Sequence, residues 1–297
     1  MCCALAMRCN DDGPSIVFMF EIILKSFFDV MVVDAPCSGS GLFRKDRTAI
    51  EEWSMDAVRH CSDRQKRILA DALPALKENG LLMYSTCSYS PEENEQIMDW
   101  LIADMDMQPV RVDIPAEWGI IEVGGSKGGY GYRFMPYKLD GEGFFIACFR
   151  QKKDHIVNDL REKKSSILSS KEKLLLKPWL KDVEDLECLK TKDEQVICVP
   201  ANMISSQMVL SGSLNLRKSG LLAGSLIRDQ FVPEHELSQS ILVNENIPQL
   251  SLDKNLALDY LRKMTFQIPA KEKGWYLLDH EGYHLGWIKH LGNRINN

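Results

Sequence analysis

The sequence contains few of the patterns that mark membrane or secreted proteins. Its nearest approach to a membrane-spanning run, residues 16–28, is too short and carries Glu21 and Lys25, so we expect no membrane association. The nine cysteines form no Cys-x-x-Cys pair and no evenly spaced framework, and no signal-peptide pattern is visible. We therefore expect reduced thiols in the cytoplasm rather than disulfides.

A metal site is not expected either. His60, the histidine nearest in sequence to the cysteine motifs below, has no second histidine close to it. His280 and His284 match the His-Glu-x-x-His pattern of zinc proteases, which requires both histidines on one helical face. Gly282 lies between them in an alternating apolar stretch, and this alternation predicts a β-hairpin instead.

Charge is distributed unevenly along the chain, whose formal net charge is −6. Residues 1–150 hold 15 Lys and Arg against 23 Asp and Glu, whereas residues 151–297 hold 21 against 19. This asymmetry favours the second half as the place where a polyanionic partner would bind.

A strand–helix–strand pattern brings two cysteine motifs together. Residues 28–33 and 80–84 are short apolar runs typical of buried strands. Between them, residues 62–79 have the spacing of one amphipathic helix, although Pro74 should kink it. Such a unit predicts parallel strands whose carboxyl ends share one edge of a sheet. Cys37 follows the first strand and Cys87 the second, so we expect both thiols at this ligand-binding edge.

Two cysteines at such an edge allow more than one interpretation. They can be buried structural residues, because free cysteine is among the most buried residue types. They can also supply a thiolate nucleophile. Methylation of cytosine at carbon 5 requires one, since carbon 5 attacks a sulfonium methyl group only after a thiolate has added to carbon 6. Such an enzyme must also take the base out of any stack.

The motifs themselves resemble a known family. Asp-Ala-Pro-Cys-Ser-Gly at residues 34–39, Arg-Lys-Asp at 44–46 and the segment at 84–94 resemble the Sun/Fmu family of RNA 5-methylcytosine methyltransferases, most closely its bacterial RsmF-like branch. Residues 274–297 resemble the PUA-like RNA-binding segment of that branch. The resemblance implies an α/β fold, with a partial Rossmann-like S-adenosylmethionine-dependent methyltransferase sheet followed by a smaller α+β PUA-like domain.

The resemblance also implies roles for three residues. Cys87 corresponds to the family's nucleophile, and Cys37 to the cysteine that helps to resolve the covalent adduct. Asp34 corresponds to the aspartate that lies between the cofactor and the target base. The implied cofactor is S-adenosylmethionine, and the implied partner is RNA, specifically ribosomal RNA. A helix beginning at Ser90 would support thiolate formation at Cys87.

Other features depart from the family pattern. Neither the glycine-rich cofactor loop nor the acidic residue that binds the ribose precedes Asp34. Asp12 is the candidate for the adenine-side aspartate, at a longer spacing than the family has. We therefore expect a chain truncated at both ends that binds S-adenosylmethionine weakly or not at all. The alternative function is an inactive remnant that still binds RNA through its C-terminal region.

The expected organisation has three parts. Residues 1–150 form the C-terminal half of the methyltransferase catalytic domain, with residues 1–27 atypical, residues 151–175 form a charged linker, and residues 176–297 form the PUA-like RNA-binding region. Within the first part, Ser90, Pro91 and Glu93 predict the capped start of a helix. We expect the chain to act as a monomer.

Overall fold

The computed structural model describes residues 4–8, 24–153, 166–213, 216, 218–264, 272–292 and 294–296. The chain divides into two units, Met1–Leu160 and Arg161–Asn297. Asp12 lies outside the described residues, as do residues 16–23 of the run considered above.

The first unit contains seven strands and three helices among its described residues. The strands are β1 (Ala4–Arg8), β2 (Phe28–Asp34), β3 (Leu76–Thr86), β4 (Gln108–Val110), β5 (Ile121–Gly124), β6 (Tyr130–Phe134) and β7 (Phe144–Arg150). The helices are α1 (Thr48–Glu52), α2 (Met55–Ala72) and α3 (Glu95–Ala103).

These strands form one mixed sheet in the order β1-β2-β3-β7-β6-β5, with β4 also paired to β7. Strands β1, β2 and β3 are mutually parallel, whereas β7 is antiparallel to β3 and to β6. The register places Asp34 opposite Ser85, so β2 and β3 end at the same edge. The expected Rossmann-like sheet is thus confirmed, and β6 and β7 form an antiparallel pair within it.

The helix between β2 and β3 begins and ends earlier than predicted. The range 62–79 is wrong at both ends, because α2 runs from Met55 to Ala72 and β3 already begins at Leu76. Ser54 caps the helix by accepting a hydrogen bond from the amide of Ala57. Pro74 lies in the short 3₁₀ turn that follows, and its ring and missing N–H end the helix rather than kink it.

The glycine-rich residues 124–131 connect β5 to β6. Asp99 anchors this turn, because its carboxylate accepts hydrogen bonds from the amides of Ser126 and Lys127 at 3.0 and 2.8 Å and from the Ser126 hydroxyl at 2.7 Å. The same bonds hold the pKa of Asp99 below its usual value, although its partial burial opposes them.

The second unit contains two sheets. Its described strands are β8 (Ser166–Ile167), β9 (Leu186–Lys190), β10 (Gln195–Pro200), β11 (Leu221–Ile227), β12 (Gln230–Pro233), β13 (Gln249–Ser251), β14 (Gly274–His280), β15 (Tyr283–His290) and β16 (Ile295–Asn296). Its described helices are α4 (Ser170–Leu174), α5 (Ile204–Ser213), α6 (His235–Ser238) and α7 (Lys254–Leu261). Strands β8 to β12 form an antiparallel sheet, and β13 to β16 form the second. The expected smaller α+β PUA-like domain is confirmed.

The hairpin of β14 and β15 contains the His-Glu-x-x-His letters. His280 ends one strand, His284 lies in the next, and Gly282 occupies the turn with a φ of 86°. The two histidines are therefore not one helical turn apart, and the predicted hairpin is confirmed.

The predicted linker overlaps the second unit. Strand β8 pairs with β9, and Leu168 is buried in the core of this unit. Ser169 and Glu172 form a capping box at the start of α4. These elements lie within residues 151–175, of which residues 154–165 lie outside the described part of the chain.

Two cysteines of the second unit contradict the expectation of thiols without disulfides. Cys188 and Cys198 face each other across the antiparallel pair of β9 and β10 and form a disulfide bond. Their Cα atoms are 4.1 Å apart, because the connection between the strands brings them into register. Their separation of ten residues does not show this pairing until the register is known.

Candidate active site

The two cysteine motifs meet at the carboxyl edge of β2 and β3. Cys37 lies in the loop after β2, and Cys87 directly follows the last residue of β3. Their Sγ atoms are 3.0 Å apart. Both side chains are half-buried, so each thiol is partly accessible at the rim of the sheet. The strand–helix–strand geometry thus brings both thiols to one edge, as the sequence predicts, and the structure adds that their sulfur atoms are in contact.

This contact shifts the pKa values of the two thiols in opposite directions. The hydrogen bond from Cys37 lowers the pKa of Cys87, and it outweighs burial and the nearby carboxylates of Asp34 and Glu93, which act in the opposite direction. The same bond, together with burial, raises the pKa of Cys37 far above its usual value. These opposite shifts favour Cys87 over Cys37 as the thiol that ionises.

Asp34 lies at the same edge, as the last residue of β2. The hydroxyl of Ser85 donates a long hydrogen bond of 3.4 Å to Asp34 Oδ1. The negative charge of Asp34 raises the pKa of Cys87, so the carboxylate lies near enough to disfavour the thiolate. The structure thus places three of the four predicted site residues at one rim, while Asp12 lies outside the described residues.

A fully buried carboxylate, that of Glu93, lies behind the two cysteine loops. Its Oε1 accepts hydrogen bonds from the Ser38 amide at 2.8 Å and from Gln65 Nε2 at 3.2 Å. Its Oε2 accepts hydrogen bonds from the hydroxyls of Ser38 and Ser88, both at 2.6 Å. The first loop and the second loop are therefore fixed to the same side chain.

The sequence prediction for Glu93 is wrong. It assigned Glu93 to a capping box, but the side chain of Ser90 makes no capping bond and Pro91–Glu93 form a short 3₁₀ turn before α3. The bond from Cys37 is the main influence that lowers the pKa of Cys87, whereas the charge of Glu93 raises this pKa. The only signal in the sequence is an acidic residue close to a cysteine motif, which does not distinguish a buried group from a solvated one.

Further hydrogen bonds fix the second loop. Asn94 is fully buried, donates to the Ser88 carbonyl at 2.8 Å and accepts from the Thr86 hydroxyl at 2.7 Å. The Tyr89 amide donates to Ser40 Oγ at 2.8 Å, which joins the second loop to the first.

Gly41 allows three backbone segments to approach closely. Its amide donates to the Cys87 carbonyl at 2.8 Å, and its carbonyl accepts from the Gly143 amide at 3.0 Å. A Cβ atom at this position would lie 2.6 Å from the Cys87 carbonyl oxygen and closer still to that of Gly143. Glycine is therefore required here for steric reasons, and the contact bears directly on the position of Cys87.

A partly buried ion pair fixes the loop that carries Cys87. Arg133 on β6 and Glu95 on α3 make a bidentate contact with distances of 2.7 Å, and their side chains are 10% and 19% exposed. Arg133 Nη1 also donates to the Tyr89 carbonyl at 3.1 Å. This arginine thus connects the antiparallel half of the sheet to the loop that carries Cys87.

The described part of the chain lacks two further features, a cluster of metal ligands and a membrane-spanning helix. No group of three or more His, Cys, Asp or Glu side chains is arranged to hold a metal ion there. No helix in that part is long and apolar enough to cross a membrane.

The parallel strands and the crossover helix define a Rossmann-like sheet of the kind that methyltransferases have, with a thiol pair at its carboxyl edge. Residues 10–150 match the family model of the 16S rRNA methyltransferase RsmB/F, and residues 248–297 match that of the methyltransferase RsmF PUA domain. These two matches confirm the resemblance to the RsmF-like branch that was inferred from the motifs.

Curated relatives share the name ribosomal RNA small subunit methyltransferase F. The protein from Shewanella piezotolerans is 29% identical over 294 residues, which cover 94% of this chain and 59% of the relative. That from Aliivibrio salmonicida is 25% identical over 308 residues, which cover 99% of this chain and 64% of the relative. The chain thus spans about three-fifths of the length of these relatives.

Solved structures give partial matches. NSun6 from Pyrococcus horikoshii, crystallised with SFG, is 31% identical, covers 42% of this chain and 30% of its own, and has a TM-score of 0.35. A methyltransferase homologue from the same organism is 31% identical over 42% of this chain and 39% of its own, with a TM-score of 0.34.

Proposed function

We propose that this protein methylates carbon 5 of cytosine in ribosomal RNA, using S-adenosylmethionine and a covalent bond between Cys87 and the base. One observation carries the proposal most directly. Two thiols lie 3.0 Å apart at the carboxyl edge of β2 and β3, and this contact lowers the pKa of Cys87 while it raises that of Cys37, which favours Cys87 as the nucleophile.

The arrangement fits the chemical requirements of this reaction. The Cys87 thiolate adds to carbon 6 of the pyrimidine, and the resulting enamine makes carbon 5 nucleophilic. Asp34 steadies the base by accepting a hydrogen bond from its exocyclic amine. After methylation, a solvent water molecule acts as the base that takes the proton from carbon 5, and the electrons of that C–H bond form the carbon 5–carbon 6 double bond. The carbon 6–sulfur bond breaks at the same time and returns its electrons to Cys87 as the thiolate. Cys37 assists this release, because its S–H stabilises the departing thiolate.

Among the described residues, Asp34 is the one we propose to contact a methyl donor. Asp34 places a carboxylate at the edge of the sheet where such a donor binds, and a carboxylate suits its ammonium group or ribose hydroxyls. S-adenosylmethionine would supply a methyl group carried on a sulfonium. Asp12 is the proposed adenine-side contact, and it lies outside the described residues.

The second unit is proposed to bind the RNA. Its match to a PUA domain and its excess of basic over acidic residues in 151–297 support this role. We further propose that residues 1–150 are the catalytic part and 176–297 the RNA-binding part of a cytoplasmic monomer.

A methyl-transfer assay tests the proposal. The chain is incubated with S-adenosylmethionine labelled in its methyl group and with unmodified small-subunit rRNA, and the RNA is then digested to nucleosides. S-adenosylmethionine is supplied in large excess, because no glycine-rich loop precedes Asp34 and weak binding is expected. We then expect label in 5-methylcytidine with the native chain and with the control Cys61→Ala, and none with Cys87→Ala. Label in another nucleoside contradicts the proposal. RNA binding without methylation supports the alternative of a non-catalytic RNA-binding protein.

A further inference from the structure

The position of Glu93 suggests a role that the proposed chemistry does not include. Its carboxylate is fully buried, and each described bond to it comes from an uncharged donor. Burying a carboxylate is costly unless hydrogen bonds replace its water. Four donors do so here, two of them at 2.6 Å. The network is therefore complete enough to keep a charged side chain in one orientation.

The donors come from the residues that directly follow the two cysteines. Ser38 follows Cys37 and binds both carboxylate oxygens, whereas Ser88 follows Cys87 and binds one. Gln65 ties the same carboxylate to helix α2, and it also donates to the Pro36 carbonyl at 2.9 Å. One side chain thus determines where both cysteine loops lie relative to each other.

We propose that Glu93 is a positioning residue that holds Cys37 and Cys87 at the separation at which one thiol can stabilise the thiolate of the other. Glu93 acts through its hydrogen bonds with Ser38 and Ser88, and none of its described hydrogen bonds involves either sulfur atom. The inference rests on the proposed function only in treating Cys87 as the nucleophile.

The charge and the geometry of Glu93 have opposite effects on Cys87. Its negative charge raises the pKa of Cys87, which disfavours the thiolate. The Cys37 contact that it positions lowers this pKa, and this contact is the largest of the influences on Cys87. The charge of Glu93 alone would therefore reduce the thiolate fraction of Cys87. The two effects can be separated by two substitutions at the same position.

The substitution Glu93→Gln removes the charge and keeps the shape. The amide oxygen can still accept from the Ser38 amide and from Gln65, and the two serine hydroxyls can rotate to accept from the new amide group. The pKa of Cys87 should then fall or stay unchanged. The substitution Glu93→Ala removes the hydrogen-bonding group as well. The pKa of Cys87 should then rise, although a nearby negative charge has been removed.

The test is the pH dependence of alkylation at Cys87, followed by mass spectrometry of the peptide that contains it. Neither RNA nor S-adenosylmethionine is present, so a negative result here is distinguishable from a failure to methylate RNA. We expect Glu93→Ala to lower the rate at neutral pH about threefold or more, and Glu93→Gln to leave it equal or higher. Glu92→Gln is the control, since no described hydrogen bond joins the Glu92 side chain to either loop.

Folding is checked by circular dichroism, because Glu93→Ala leaves several donors without an acceptor. If that variant does not fold, Ser88→Ala replaces it, since it removes one of the two short bonds and keeps the carboxylate. It should also lower the rate at Cys87, by a smaller factor. The proposal is overturned if removal of the hydrogen-bonding group raises or does not change the rate, or if Glu93→Gln and Glu93→Ala behave alike.

Discussion

Replacing Cys37 by alanine should raise the pKa of Cys87. The substitution removes the S–H group that lies 3.0 Å from the Cys87 sulfur. Burial and the carboxylates of Asp34 and Glu93 remain, and all three favour the protonated thiol. The pKa of Cys87 should therefore move from below to above the usual value for a cysteine.

The size of this change follows from the strength of one charge-assisted hydrogen bond. Such bonds contribute roughly 1.5–3 kcal/mol, and a thiol is a weak donor, so we take the lower value. About 1.4 kcal/mol corresponds to one pKa unit. The thiolate fraction of Cys87 at neutral pH should then fall about tenfold. The more basic thiolate is also more nucleophilic, which offsets about half of the loss on a logarithmic scale and leaves a rate decrease of about threefold.

Alkylation by iodoacetamide, measured for the Cys87 peptide between pH 6 and 10, gives both quantities. Cys61→Ala is the matched control, since it removes a thiol on α2 that lies outside the two cysteine loops. The control should leave the titration of Cys87 unchanged. A titration midpoint for Cys37→Ala equal to or lower than that of the native chain would refute the inference that Cys37 lowers the pKa of Cys87.

Three further predictions concern stability. Gly41→Ala should lower the free energy of unfolding by about 1–3 kcal/mol in a denaturant titration, because a Cβ meets backbone oxygens; Gly124→Ala, whose nearest neighbour would be 3.8 Å away, is the control and should be nearly neutral. Arg133→Ala should cost about 1–3 kcal/mol by the same measurement, because it leaves a half-buried carboxylate without its bidentate partner; an unchanged midpoint would show that the pair contributes nothing. Reduction should lower the free energy of unfolding of the second unit by roughly 2–3 kcal/mol through loss of the Cys188–Cys198 crosslink. Free thiols at both positions in the native chain under non-reducing conditions would contradict this prediction.

The relation between the two cysteine loops could be predicted from the sequence. Apolar runs before Asp34 and Ser85 predict strands, the intervening amphipathic stretch predicts a crossover helix, and the right-handed parallel unit then brings Cys37 and Cys87 to one edge. This inference needs only the type and order of the elements. It holds even though the predicted limits of the helix are wrong.

The features that could not be predicted depend on tertiary contacts. Glu93 is buried because α2 and two loops converge on it, and a local pattern after Ser90 cannot show that convergence. The pairing of Cys188 with Cys198 likewise depends on the register of β9 and β10. Local sequence patterns thus predict the edge at which Cys37 and Cys87 lie. The side chain that positions their loops, Glu93, can be identified only from the folded structure.

Trapping of a covalent protein–RNA adduct tests the central claim most directly. Cys37→Ala and Cys87→Ala are each incubated with S-adenosylmethionine and unmodified rRNA, and the products are separated under denaturing conditions. Attack by Cys87 is slowed but retained in Cys37→Ala, and release is impaired, so we expect an adduct that maps to the Cys87 peptide. Cys87→Ala should give none. Equal adduct yields from the two variants, or an adduct that maps to Cys37, would contradict the roles assigned to the two thiols.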